Sequence, residues 1–218
     1  MPQPDLVIFD CDGVLVDSEI VAARVEAELL TSAGFEISAE EIFETYAGLT
    51  FKDIMLRLEE KSHIPFQASL IDRAEELVDR KREAVAAVTT PRAVCSNSRT
   101  ERIEFMLEKV RLLPFFAGRI FSALDIPSKK TKPAPDVFLY AAETLGANPK
   151  STFVIEDSVH GIAGAKAAGM RVIGFTGAGH SYPGHADALT EAGAETVIRR
   201  WAELKNTIAA LSEWSEDA

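Results

Sequence analysis

The sequence predicts an α/β protein: a doubly wound, Rossmann-like parallel-sheet core with a small all-helical domain inserted after the first strand. Two observations lead to this prediction. Short apolar segments that end in polar residues recur along the chain and alternate with helical segments, the pattern of right-handed βαβ crossovers. One long segment, residues 18–85, departs from this pattern because it contains helical signals and no convincing strand.

The first strand is predicted at residues 6–9, a short apolar run typical of a buried parallel strand. It ends in two carboxylates, Asp10 and Asp12, which are followed by Gly13. Ligands of open α/β sheets bind beyond the carboxyl ends of the strands, so both carboxylates would stand at the mouth of a site. Two like charges held together are unfavourable unless a cation or a shared proton compensates them. A solvated turn at a strand end would also explain these residues.

The inserted segment is predicted to be helical throughout. Ser18 is a candidate N-cap and Gly34 a stop signal for the first helix. Residues 38–41 have the form of a capping box and open the second helix. Two more helices are predicted, over residues 50–62 and 65–88. The chain is therefore expected to form an α/β core of residues 1–16 and 86–218 and a helical domain of residues 17–85.

The remaining strands and helices alternate as a doubly wound sheet requires. Strands are predicted over residues 92–95, 119–121, 152–155, 171–175 and 195–198. Helices are predicted over residues 99–110, 135–145, 158–168 and 202–214. His180 and His185 fall in a segment rich in Gly, Ser and Pro, which we interpret as a loop, and no metal-ligand spacing recurs there.

Composition limits the partners and the compartment. The net charge of −11 disfavours nucleic acid and anionic membrane surfaces as partners. No apolar run is long enough to span a bilayer, and the first residues lack the pattern of a signal peptide. The two cysteines, Cys11 and Cys95, do not make a disulfide framework, which indicates a reducing cytoplasm. We expect a cytoplasmic protein with no nucleic-acid or membrane partner, as a monomer or a weak homodimer.

Polar groups follow the strand ends in four places. They are Asp10 with Asp12, Ser96 with Asn97, the region of residues 130–132 that ends in Lys132, and Glu156 with Asp157. In a doubly wound sheet these four places meet at one edge. Hard carboxylates favour Mg²⁺, which binds through one or two carboxylates together with a substrate phosphate. A lysine and a hydroxyl suit a phosphoryl group, and a carboxylate can act as a covalent nucleophile.

The residues at these four strand ends resemble the motifs of a known family. Four motifs, in the same order along the chain, are similar to those of the haloacid dehalogenase superfamily: DCDGVLVDSE at 10–19, VCSNS at 94–98, KPAPD at 132–136, and EDSVHG at 156–161 followed by AAGM at 167–170. The resemblance covers nearly the whole chain. The helical insertion is similar to the cap domain of the β-phosphoglucomutase-like and phosphoglycolate phosphatase-like branch.

The resemblance implies roles for the carboxylates. Asp10 would attack phosphorus, and Asp12 would protonate the leaving oxygen and then activate water. Mg²⁺ would lie between Asp10, the backbone carbonyl of Asp12, and Asp157, with Glu156 nearby or acting through water. These roles fit phosphoryl transfer, in which positioning and charge stabilisation supply most of the catalysis.

The resemblance also implies how the substrate is held. Ser96 and the amide of Asn97 would hold phosphoryl oxygens, and Lys132 would offset the charge on Asp10 and on the transferring group. Residues of the helical domain would select the substrate, and three candidates stand at a break between its predicted helices: Gly48, Thr50 and Lys52.

The implied activity is Mg²⁺-dependent hydrolysis of a small phosphorylated metabolite, with sugar phosphates as the expected class. A phosphomutase is disfavoured because its relatives carry a cap histidine and a cap arginine where this chain has Ala22 and Phe51. A dehalogenase is disfavoured because such relatives lack the metal and the second aspartate. A module that only binds a phosphorylated ligand is disfavoured because every expected catalytic position is filled.

One segment departs from the family pattern. Residues 81–91, between the helical domain and the strand at Arg92, are shorter than the linker and core helix that the family usually places there. We therefore expect the linker to be shortened, or one helix of the core to be reduced or missing.

Overall fold

A computed structural model describes residues 3–16 and 79–213, together with short stretches at 30–31, 35–38, 41–42, 45, 54, 56–58 and 60. The chain divides into two compact units, one of Met1–Val16 with Lys81–Ala218 and the other of Asp17–Arg80. The sheet belongs to the first unit, together with three of the four predicted motifs and residues 10–16 of the first motif. The predicted substrate residues Gly48, Thr50 and Lys52 lie outside the described residues, as do Ala22 and Phe51.

The core contains six parallel strands in the order β3-β2-β1-β4-β5-β6. They are β1 Leu6–Phe9, β2 Arg92–Ser96, β3 Ile120–Ser122, β4 Thr152–Glu156, β5 Arg171–Phe175 and β6 Thr196–Ile198. The strand order reverses at β1, which pairs with β2 on one side and β4 on the other. The predicted doubly wound sheet is confirmed, and its switch point lies at the strand that carries Asp10.

Five helices with fully described bounds accompany the sheet. They are α1 Thr100–Lys109, α2 Asp136–Leu145, α3 Val159–Ala167, α4 His185–Glu191 and α5 Leu204–Glu213. Short 3₁₀ turns precede some of these elements, at Leu113–Phe115, Pro149–Ser151 and Trp201–Glu203. Four of these helices were predicted within two residues at each end, whereas α4 replaces part of the predicted loop. This helix is only seven residues long, too short to show a clear helical periodicity in the sequence, and it follows Gly184, whose φ is +87°.

The two faces of the sheet are covered separately because successive side chains of a strand point to opposite faces. Val7 and Phe9 of β1 pack on one face with residues of α1 and α5, whereas Leu6 and Ile8 pack on the other with residues of α2, α3 and α4. All four β1 side chains are fully buried. The continuous apolar run that predicted a buried strand therefore packs against the helices on both faces of the sheet, as expected for a central parallel strand.

The short segment before β2 retains a core helix. Residues 79–87 are helical, and the side chains of Val85 and Val88 are buried with the face of the sheet that contains Phe9. The Lys81 ammonium group donates a hydrogen bond to the Leu15 carbonyl over 2.9 Å. This packing is why the division between the two units falls before Lys81, whereas the sequence placed it after residue 85.

In the second unit, the described positions 30–31, 41–42, 54 and 56–58 are helical, and 35–38 are not. The Glu41 amide donates to the Ser38 hydroxyl over 3.1 Å, which is the backbone half of the predicted capping box. Among the helices that the structure describes, none is long and apolar enough to cross a membrane.

Candidate active site

The first catalytic candidate, Asp10, is fixed by the strands around it. Its backbone amide donates to the Ile155 carbonyl of β4 over 3.0 Å, so the residue continues the ladder one step beyond β1. The chain then turns at Gly13, whose φ of +87° favours glycine. A Cβ atom at Gly13 would overlap with the Asp157 carboxylate and lie 2.8 Å from His180 Cε1. Glycine is therefore required here for the close approach of the turns that follow β1 and β4.

Lys132 connects two buried carboxylates. Its Nζ lies 2.5 Å from Asp10 Oδ1 and 2.5 Å from Glu156 Oε1, and all three side chains are almost fully buried. Burial alone would lower the pKa of Lys132, but the charges of Asp10 and Glu156 outweigh it and raise this pKa above its ordinary value. Lys132 is therefore a permanent cation, suited to offsetting charge and not to exchanging protons.

Asn97 holds the backbone of Lys132. Its Oδ1 accepts from the Lys132 amide over 2.9 Å, and its Nδ2 donates to the Lys132 carbonyl over 3.5 Å. The two residues are 35 positions apart in the sequence, so this clamp joins the end of β2 to the loop before α2. The predicted ligand contact of Asn97 used its backbone amide, and that contact stays a prediction. The side chain has a different task, which is to place Lys132.

Glu156 is the most enclosed carboxylate of the site and uses both of its oxygens. Oε1 contacts Lys132, while Oε2 accepts from the Asp157 amide, the Ser158 amide and the Ser158 hydroxyl over 3.0, 3.1 and 2.9 Å. Ser158 in turn caps α3 by accepting from the Gly161 amide over 3.0 Å. These bonds shape the turn that presents Asp157.

Asp10, Glu156 and Asp157 form a cluster of three buried carboxylates whose ligand oxygens lie within 4.8 Å of one another. Burial, reinforced by the neighbouring carboxylates, raises the pKa of Asp10 to about 7 and that of Asp157 to about 8, although Lys132 opposes the shift. Three carboxylates face one lysine, so their ionised forms leave two negative charges uncompensated. Hard oxygen donors with an excess of two negative charges fit a divalent cation such as Mg²⁺.

Asp12 lies outside this carboxylate cluster. Its Oδ2 accepts a hydrogen bond from the Ser98 hydroxyl over 2.8 Å, and its Oδ1 is 3.9 Å from Arg102 Nη2. The side chain is 31% exposed, in contrast to the buried Asp10. The predicted contact of Asp12 with a metal ion runs through the backbone carbonyl and stays a prediction.

Ser96 is buried at the end of β2, where its hydroxyl oxygen accepts from the Ser98 amide over 3.0 Å. Because that bond uses a lone pair of the oxygen, the hydroxyl proton is left for another acceptor. This is the arrangement needed to donate to a phosphoryl oxygen.

Two histidines that the sequence analysis treated as loop residues contact Asp157. His180 Nε2 lies 2.9 Å from Asp157 Oδ2, and His185 Nε2 lies 2.8 Å from the Asp157 carbonyl oxygen. A carbonyl can only accept, so His185 Nε2 carries a proton in this contact. The signal that could have found them is strand order: β5 is the neighbour of β4, so polar residues after β5 come close to those after β4.

The structure therefore brings Asp10, Asp12, Ser96, Asn97, Lys132, Glu156 and Asp157 to one edge of the sheet. The two cysteines are poor candidates for a nucleophile. Both are free and buried, and burial raises the pKa of Cys11 and of Cys95 well above the ordinary range, which keeps the thiols protonated.

Several known proteins are similar to this chain. A family model described as haloacid dehalogenase-like hydrolase matches residues 4–169. The 6-phosphogluconate phosphatase of Escherichia coli K12 is 29% identical over 195 residues, 84% of this chain and 87% of that protein. Hexitol phosphatase B of the same strain is 33% identical over 181 residues, 76% of this chain and 81% of that protein. A solved haloacid dehalogenase-like protein of unknown function from Agrobacterium tumefaciens is 54% identical with a TM-score of 0.67, covering 95% of this chain and 99% of that chain.

Proposed function

Since the chain belongs to the haloacid dehalogenase-like hydrolase family, we propose that it is a Mg²⁺-dependent phosphatase of small phosphorylated metabolites that works through an aspartyl-phosphate on Asp10. One observation supports this proposal above the others. Asp10 lies beside a permanent cation, Lys132, and within a buried carboxylate cluster whose excess charge suits a divalent metal ion. A carboxylate that only shaped a turn would not need either feature.

The proposed reaction has two steps that share one pair of aspartates. In the first, a carboxylate oxygen of Asp10 forms a bond to phosphorus while the bond from phosphorus to the leaving oxygen breaks. The electron pair of that bond goes to the leaving oxygen, which takes a proton from Asp12. In the second, water attacks the same phosphorus and gives a proton to Asp12, and the Asp10 carboxylate leaves. Lys132 favours the ionised form of Asp10 that begins and ends the cycle.

The Mg²⁺ ion would be held by Asp10, Asp157 and the backbone carbonyl of Asp12. When bound, it would offset the negative charge that gathers between the carboxylates and the phosphoryl group. Both oxygens of Glu156 already accept hydrogen bonds within the protein, so we assign Glu156 to fixing Lys132 and the Asp157 turn, with any contact to the ion passing through water. Ser96 would donate its remaining hydroxyl proton to a phosphoryl oxygen.

We infer the substrate class from the relatives. The two named phosphatases act on a phosphorylated sugar acid and on phosphorylated hexitols, as their names state. We therefore propose a phosphate ester of a sugar, a sugar acid or a sugar alcohol. Selection among them is assigned to the helical domain, with Gly48, Thr50 and Lys52 as the candidates to vary first.

The test is a phosphate-release screen with Mg²⁺ over 6-phosphogluconate, hexitol phosphates and hexose phosphates. Asp10→Asn should abolish release, because an amide is a poor nucleophile and a weak metal ligand. Asp5→Asn is the matched control: Asp5 precedes the opposite end of β1, is exposed, and accepts only from the Asn148 amide in the part of the chain described here. Phosphate release by a folded Asp10→Asn protein at the parent rate would refute the aspartyl-phosphate mechanism.

The same assay separates the proposed phosphatase from its alternatives. With β-glucose 1-phosphate and a trace of the bisphosphate, we expect inorganic phosphate to form. Faster formation of glucose 6-phosphate would assign a phosphomutase instead. Halide release from a small haloacid, unaffected by EDTA, would assign a dehalogenase. Phosphate binding with no turnover of any ester would leave only a binding role.

A further inference from the structure

The carboxylate of Asp12 has two oxygens in different environments. Oδ2 accepts a hydrogen bond from the Ser98 hydroxyl over 2.8 Å, whereas Oδ1 lies 3.9 Å from the half-exposed guanidinium group of Arg102, beyond hydrogen-bond distance. Ser98 is 86 residues away from Asp12 in the sequence, and none of the catalytic or binding roles proposed above involves it. Its contact therefore needs its own explanation.

The turn that carries Ser98 is held on both sides. The Ser98 amide donates to the buried hydroxyl of Ser96 over 3.0 Å. Two residues further on, the Thr100 amide and hydroxyl both donate to Asp125 Oδ2, over 3.0 and 2.6 Å. The backbone of Ser98 is thus held by bonds other than the one from its hydroxyl to Asp12.

A hydroxyl suits a partner that changes its protonation state. It is neutral, so it does not favour the carboxylate over the carboxylic acid through a charge, as the ammonium group of a lysine would. In the proposed reaction Asp12 is an acid in the first step and a base in the second. When Asp12 carries its proton on Oδ1, Oδ2 keeps its lone pairs and still accepts from Ser98, so this contact can persist in both steps.

We propose that Ser98 is a positioning residue for the acid–base aspartate: it holds Oδ2 of Asp12 and so leaves Oδ1 to exchange the proton. This inference rests on the proposed phosphatase function. In the first step the bond between phosphorus and the leaving oxygen breaks, its electron pair stays on that oxygen, and the proton comes from Oδ1 of Asp12. In the second step Oδ1 takes a proton back from the attacking water.

The test compares leaving groups, because only a poor leaving group needs the proton. The value of kcat/KM reports the events up to phosphoryl transfer to Asp10, so it isolates the acid step. Ser98→Ala should lower kcat/KM for glycerol 2-phosphate, an alkyl ester, by about tenfold or more. For p-nitrophenyl phosphate, whose phenolate leaves without a proton, the loss should be less than about threefold. Ser98→Thr, which keeps the hydroxyl, should restore most of the difference.

Thr100→Val is the matched control. It removes another hydroxyl-to-carboxylate hydrogen bond from the same turn, but its partner, Asp125, is an exposed carboxylate outside the site. It should leave the ratio of the two kcat/KM values unchanged. Thermal melting of each variant checks that it folds, and Ser98→Gly provides a second hydroxyl-free variant if the alanine variant is unstable.

Each result decides the matter. The positioning role is overturned if Ser98→Ala lowers kcat/KM equally for both esters. It is also overturned if the ratio of kcat/KM for the alkyl ester to that for p-nitrophenyl phosphate is as low in Ser98→Thr as in Ser98→Ala. Either result assigns Ser98 to the turn alone. In that case the parent still releases phosphate and the proposed function stands. A parent that turns over neither ester nor any sugar phosphate contradicts the proposed function and the Ser98 role together.

Discussion

Replacing Lys132 by methionine removes the only cation bonded to two buried carboxylates among the residues that the structure describes. Methionine keeps most of the volume of the side chain, so the change is mainly one of charge. Asp10 and Glu156 then lose contacts of 2.5 Å each, and their side chains, 10% and 1% exposed, have little access to water that could compensate. Breaking a buried ion pair by removing one partner costs about 3–5 kcal/mol, because it leaves an uncompensated charge.

For a chain of 218 residues this loss corresponds to a fall in Tm of about 6–20 °C, at roughly 2–4 °C per kcal/mol. The fall should be larger at pH 9 than at pH 6. Without the lysine charge, which lowers the pKa of Asp10, that pKa rises further above its value in the unfolded chain. When folding raises the pKa of a carboxyl group, the folded protein becomes less stable as the pH rises. At pH 6 Asp10 of the variant is protonated, which removes most of the cost of its buried charge.

The assay is thermal melting in EDTA at both pH values, with Lys130→Met as the control. Lys130 is two residues away and 67% exposed, and its contact with Asp136 is 3.6 Å long. Such a surface pair contributes about 0–1 kcal/mol, so its loss should barely move the Tm. Equal shifts for the two variants, or a larger fall at pH 6 than at pH 9, would refute the view that Lys132 compensates buried charge.

Three further outcomes follow from the same geometry. Mg²⁺ should raise the Tm more at pH 9 than at pH 6, because burial raises the pKa of Asp10 to about 7 and that of Asp157 to about 8, and protons then compete with the metal; equal shifts in a melting series would contradict this. His180→Gln should raise the Mg²⁺ concentration for half-maximal activity by about tenfold, because His180 contacts the Asp157 carboxylate. His160→Gln, at an exposed site on α3, should leave it unchanged, and Mg²⁺ activation curves measure both. Gly13→Ala should abolish phosphate release, because its Cβ would overlap with Asp157, while Gly118→Ala, also at positive φ but in open space, should keep near-parental rates.

The sheet could be predicted because its signals are local. An apolar run, a polar strand end and a following helix lie within about ten residues of each other, so each βα unit is visible by itself. The bounds of the helices were predictable for the same reason: a helix was expected over residues 158–168, and α3 runs from Val159 to Ala167. For the segment before Arg92 the sequence left three outcomes open, a shortened linker, a reduced helix or a missing helix. The structure shows that residues 79–87 are helical and that Val85 packs in the core.

The contacts that tune the site could not be predicted, because they join residues that are far apart in the sequence. Asn97 reaches Lys132 across 35 residues, and Ser98 reaches Asp12 across 86. His180 contacts Asp157 only because β5 lies beside β4 and because the loop after β5 folds back. Residue type and spacing carry no trace of such contacts. They depend on the order of the strands, which the motifs imply only in outline.

Two aspartates that are separated by a single residue thus have different environments. Asp10 is buried, which raises its pKa, and it lies against Lys132, a partner that keeps its proton and so favours the carboxylate that attacks phosphorus. Asp12 is partly exposed and bonded to a hydroxyl, a partner that accommodates either protonation state. Environments that differ in this way are how neighbouring carboxylates come to serve as nucleophile and as acid–base. In this chain the difference is produced by residues after other strands, Lys132 and Ser98, and not by the motif in which the two aspartates stand.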